Sequence, residues 1–134
     1  MTTDPKIDPK TLALSYLDAV GKKELDRLNG LLAPDLAFRG PSMTRSTARD
    51  FLAALARLGA IHVRNDVKRV FVDGDEVCVI YDFVTDTPAG ALPTIEWLKI
   101  EGGRIRSIDL FYDRVPWKGV MDEIAQRAAT RATA

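Results

Sequence analysis

A chain of 134 residues can bury one core of ordinary size, and its nineteen basic and nineteen acidic side chains cancel. That balance excludes the basic footprint of a nucleic-acid partner, and no apolar stretch approaches the ~20 residues that span a bilayer. One cysteine, Cys78, rules out an internal disulfide, and with a single histidine it argues against a transition-metal site.

Asp8 and Pro9 read as a helix start, cap and first position. Ala13, Tyr16, Leu17 and Val20 then follow the spacing of one buried helical face, and Gly21 can end it. A second helix over about 23–32 carries Leu25, Leu28 and Leu32, and Pro34-Asp35 breaks it. Leu36-Ala37-Phe38 makes a short strand before the Gly40-Pro41 turn. A third helix over 46–58 turns Phe51, Leu55 and Leu58 inward and stops at Gly59.

Beyond Gly59 the period changes to two. Strands are expected over 61–72 and 76–87, joined by the tight turn Asp73-Gly74-Asp75. Pro88-Ala89-Gly90 separates these from Thr94-Ile95-Glu96-Trp97-Leu98-Lys99-Ile100, and Glu101-Gly102-Gly103 turns into a last strand over 104–113. Pro116-Trp117 opens a final helix with Met121, Ile124, Ala125 and Ala128 on one side. This is one domain over 9–128, with a tail at 1–8 and a frayed tail at 129–134. Helices followed by a meander of long strands form an α+β plan, and a bent sheet against helices leaves room for a pocket. Met1-Thr2-Thr3-Asp4-Pro5 lacks the basic and apolar regions of a secretory signal, so the expected compartment is the cytoplasm.

Glu96 stands out in this pattern. With period two it shares a face with Thr94, Leu98 and Ile100, while Lys99 and Glu101 mark the opposite face as the wetter one. A carboxylate on the apolar side finds a partner, stays protonated, or lies in a cavity; at a sheet edge it reaches water or an arginine instead. Tyr16 has its own plain reading as a core tyrosine. Tyr81 and Phe83 share a face of their strand, which leaves Asp82 pointing away. His62 alternates with Arg64, Asp66 and Lys68 as on a solvated strand edge.

Leu32-Ala33-Pro34-Asp35-Leu36-Ala37-Phe38, Asp86-Thr87-Pro88-Ala89-Gly90 and the closing run from Glu101 to Tyr112-Asp113 resemble the nuclear transport factor 2-like superfamily. Its SnoaL-like and ketosteroid isomerase-like members are cone-shaped, a curved antiparallel sheet packed on N-terminal helices. The resemblance covers about residues 9–117 and implies a fold more than a function. Ketosteroid isomerases use a first-helix tyrosine and a protonated acid as oxyanion donors, with an aspartate base after the first strand. Those positions fall on Tyr16, Glu96 and Gly40 respectively, so the base is missing. In related polyketide cyclases and limonene-epoxide hydrolases an acid on the last strand is the base, and that position falls on Leu110, with Asp109 and Asp113 facing the other way.

The resemblance therefore implies Glu96 as acid/base and Tyr16 as its hydrogen-bond partner. His62, Asp82 and Arg39 near the mouth are weaker candidates. Phe38, Tyr81, Phe83, Leu98, Leu110 and Tyr112 would line the cavity and take a small hydrophobic molecule. No metal or cofactor is expected. Trp97, on the outer sheet face, suggests a homodimer. Two function classes follow: a cofactor-independent isomerase, cyclase or dehydratase, and a binding or dimerisation module that lost its base.

Overall fold

The computed structural model describes residues 8–133; of the expected tail at 1–8, all but Asp8 lies outside them. The elements are α1 (Pro9–Lys22), α2 (Leu25–Leu31), β1 (Leu32–Arg39), β2 (Thr44–Arg45), α3 (Ala48–Leu58), β3 (His62–Asp73), β4 (Glu76–Thr85), β5 (Ala91–Glu101), β6 (Arg104–Tyr112) and α4 (Trp117–Thr133). The six strands form one curved, unclosed sheet in the order β2-β1-β6-β5-β4-β3. All neighbours are antiparallel except β1 and β6, which run parallel. The sheet is thus mixed at one pair, where an entirely antiparallel one was expected.

Local chemistry explains most boundaries. Asp8 caps α1 by accepting from the Thr11 N–H at 3.1 Å, and Thr47 caps α3 by accepting from that of Asp50 at 3.1 Å. The α1 helix runs past Gly21 and ends at Lys23, whose φ is 60°. The Lys23 N–H bonds the carbonyls of Ala19 and Val20 there, which offsets a left-handed strain of about 1 kcal/mol. Leu32 opens β1 instead of closing α2. Pro34 sits where the β1–β6 register is irregular, between Leu32 and Ala37, so its missing N–H interrupts no regular ladder. The short β2 strand had no signal in the sequence. At the other end, α4 is helical from Trp117 through Thr133.

Register shifts in β3, between His62 and Arg64 and between Val67 and Arg69, and in β5–β6 at Lys99/Ile100 bend the strands. The turn into β6 needs left-handed backbone at both Gly102 and Gly103, with φ of 61° and 76°. On the concave face, β5 alternates strictly, burying Leu92, Thr94, Glu96, Leu98 and Ile100. Leu12, Leu17, Leu28, Leu36, Val77, Val79, Ile105 and Ile108 complete the core between sheet and helices. No helix among the described residues is long and apolar enough to cross a membrane.

Candidate functional site

Where the sheet bends away from the helices, a cavity of about 300 Å³ opens between α1, α3, α4 and the strands β4 to β6. Tyr16, Glu96 and Tyr81 lie on its buried wall, with 2%, 4% and 4% of their surfaces exposed. The Tyr16 hydroxyl donates to Glu96 Oε1 at 2.8 Å across 80 residues of sequence, and the Tyr81 hydroxyl donates to Oε2. Both carboxyl oxygens are therefore held by phenols. The β-ladder explains Tyr81: Glu96 lies directly opposite Val79, and Tyr81 is the diagonal neighbour, within reach of a long side chain.

Burial raises the Glu96 carboxyl above its ordinary pKa, and the bonds from Tyr81 and Tyr16 pull the other way without cancelling it. Both phenols are pushed well above the usual tyrosine range, first by burial and then by the charge of Glu96. They stay protonated and remain donors. Glu96 is the one carboxyl among the residues that line the cavity.

The expected lining is largely assembled. Phe38, Tyr81, Phe83, Leu110 and Tyr112 surround the same space as Tyr16 and Glu96. Leu98 does not. It shares the Glu96 face but pairs with Val77 and Ile108 and is fully buried in the core, because parity fixes the face and not how far along the strand the cavity reaches.

His62 is also placed differently from its expected solvated edge. It is 4% exposed, stacks on Phe83 with ring centroids 3.9 Å apart, and its Nε2 is hydrogen-bonded to Asn65 Oδ1 at 2.8 Å. Burial lowers its pKa, and it borders a separate groove rather than the cavity. Asp82 points outward to Lys68 at 3.1 Å. Arg39 pairs with Asp109 at 2.9 Å and lies outside the cavity wall.

The positions without a base are clear in space. A Cβ at Gly40 would meet Leu110 and Phe38 at 3.5 Å, so Gly40 backs directly onto lining residues. Leu110 lies opposite Glu96 on β6, whereas Asp109 lies opposite Trp97. No pattern in the sequence points to the second phenol on Glu96, or to Arg45, Arg57 and Trp117 as lining residues. Arg45 could not be found because its strand was not legible. No group of three or more His, Cys, Asp or Glu among the described residues is arranged to hold a metal ion.

Solved structures share this architecture. An NTF2-like protein of unknown function from Cytophaga hutchinsonii is 21% identical, with a TM-score of 0.73 over 87% of this chain and 98% of its own. A candidate ketosteroid isomerase from Kribbella flavida is 19% identical, with a TM-score of 0.69 over 78% of this chain and 77% of its own. A candidate SnoaL-like polyketide cyclase from Shewanella denitrificans is 18% identical, with a TM-score of 0.71 over 88% of this chain and 97% of its own. At such identities the likeness is one of fold. No protein of curated function matches the sequence. The SnoaL-like domain model matches residues 13–108, and the chain belongs to that family, with the α+β cone of NTF2-like proteins.

Proposed function

We propose that the protein is a small enzyme that needs no metal or cofactor and moves a proton on a largely apolar carbonyl compound, in an isomerisation, dehydration or cyclisation. The observation that carries this reading is a carboxyl held between two phenols on the wall of an apolar cavity. A carboxyl whose pKa is raised toward the working pH is a better proton shuttle than an ordinary glutamate. In this reading Glu96 takes the proton from the carbon beside the carbonyl and returns it elsewhere. Tyr16 and Tyr81 orient the carboxyl, and a phenol that turns to the substrate oxygen stabilises the enolate.

The vacant positions at Gly40 and Leu110 favour a second reading, a binding module with the same cavity and no turnover. One experiment separates the two: deuterium exchange at the α-carbon of 2-tetralone, followed by proton NMR with the wild type and with Glu96→Gln. Exchange that needs Glu96 supports the enzyme. If the ketone binds, exchange stays at the buffer rate, and neither Glu96→Gln nor Tyr16→Phe weakens binding by as much as tenfold, about 1.4 kcal/mol, the protein is a binding module.

The proposed partner is a second copy of the chain on the outer sheet face, where Ile95, Trp97 and Phe111 are solvent-exposed. The lone Cys78 suits the reducing cytoplasm as the working compartment.

A further inference from the structure

The cavity carries charge that proton transfer at Glu96 does not use. Its wall at Tyr16, Glu96, Tyr81 and Phe51 is buried, whereas Arg57 is exposed and Arg45 half-buried, which puts the two arginines at the mouth. The backbone aims Arg45 there. On β2 it lies directly opposite Phe38 of β1, and residues opposite each other across an antiparallel pair project from the same face. Phe38 lines the cavity, so Arg45 does too. Arg57 follows Ala54 by three residues on α3, and Ala54 is also on the cavity wall.

Neither arginine is ion-paired with a carboxylate among the described residues. Arg27, Arg39, Arg64, Arg106 and Arg127 each make an ion pair with a carboxylate. Arg49, Arg69, Arg104, Arg114 and Arg131 make none among the described residues, but of the arginines without an ion pair it is Arg45 and Arg57 that line the cavity. Arg45 bonds only the Thr44 carbonyl, at 2.7 Å, and Arg57 has no ion pair or side-chain hydrogen bond among the described residues. Asp50 borders the neighbouring groove that both arginines also line, without pairing with either. Arg57 sits in the last turn of α3, where a cation also suits the negative end of the helix, but that accounts for one charge and not for two at one opening.

We propose that Arg45 and Arg57 form an anion subsite at the mouth, so that the ligand is an amphipathic acid whose apolar body fills the cavity and whose carboxylate meets the two guanidinium groups. A guanidinium offers a planar fork of donors that matches a carboxylate. The inference rests on the cavity being the ligand site and is independent of whether Glu96 turns the ligand over.

Calorimetric titration of the full chain with 2-naphthoate and with its neutral isostere 2-naphthamide, near neutral pH where the acid is ionised, tests this. The expected result is a preference for the carboxylate of about tenfold or more, lost in the double variant Arg45→Met/Arg57→Met while naphthamide affinity stays the same. The preference should weaken with salt and persist in Glu96→Gln. Equal affinity for the two probes in the wild type, no binding of 2-naphthoate, or a preference that survives in the double variant would overturn it. Failure of the Glu96 chemistry would leave this binding result untouched.

Discussion

Replacing Glu96 by glutamine keeps the size of the side chain and removes its titration, which makes the pH dependence of stability readable. The folded protein holds the Glu96 pKa above its unfolded value near ~4.3, so between the two it binds a proton that the unfolded chain has released. The resulting stabilisation is fully present below the unfolded value and is lost as pH rises through the folded one. Urea unfolding from acid to neutral pH should therefore show a fall that is absent in Glu96→Gln; identical slopes in the two proteins would count against a raised pKa. His62 has the opposite sign, because burial lowers its pKa and its contribution is lost as pH falls through the folded value. The difference between wild type and variant removes that background. Tyr16→Phe takes one donor from a buried carboxyl and should cost about 1–3 kcal/mol. It should also move the Glu96 pKa further up, since the lost bond favours the ionised form; carbon NMR of the Glu96 carboxyl would show the direction. Tyr16 and Glu96 were legible as a pair only through the family resemblance, whereas the bond from Tyr81 depends on a diagonal across two strands that no single-strand pattern reveals.

At the scale of elements, β5 shows how far an alternating pattern reaches. It separates inside from outside correctly along the whole strand, yet Glu96 faces a cavity and Leu98, two residues on, is packed solid. Leu98→Ala should cost about 2–5 kcal/mol of stability by chemical denaturation while leaving ligand affinity close to the wild type. Leu110→Ala, on the cavity wall, should change ligand affinity at a smaller cost in stability. The α4 helix covers the cavity through Trp117, Met121 and Ile124, and Arg127 fastens it. That guanidinium donates to the Ala60 carbonyl at 2.8 Å and pairs with Asp86 at 2.9 Å and Glu123 at 3.1 Å. Arg127→Ala should leave the sheet amides protected and speed hydrogen exchange in α4 several-fold; unchanged α4 protection would show that apolar packing alone holds it. The extension of α1 past Gly21 to Lys22 is a difference of boundary and not of element.

For the whole molecule, the proposed assembly rests on the outer sheet face. Ile95 lies opposite Phe111, and both are exposed beside Trp97, which also donates to Glu76 at 2.8 Å and carries Lys99 over its ring. Sedimentation equilibrium should give a dimer for the wild type, and Phe111→Glu should shift it to monomer without unfolding it; a monomeric wild type would remove this partner from the proposal. The order of helices and strands, the hairpins at Gly74 and Gly102-Gly103, and the inward face of β5 were written in the sequence, because period, caps and turn residues act over a few neighbouring positions. Tertiary structure alone decided the parallel pairing of β1 with β6, the short β2 that delivers Arg45, the burial of His62 against Phe83, and the closing of two phenols on one carboxyl. The β1–β6 pairing, the His62 stack and the two phenols join segments distant in the chain. The β2 strand, though it lies next to β1 in sequence, is a two-residue pairing with no alternating pattern of its own. In each case the outcome depends on how all the elements pack at once.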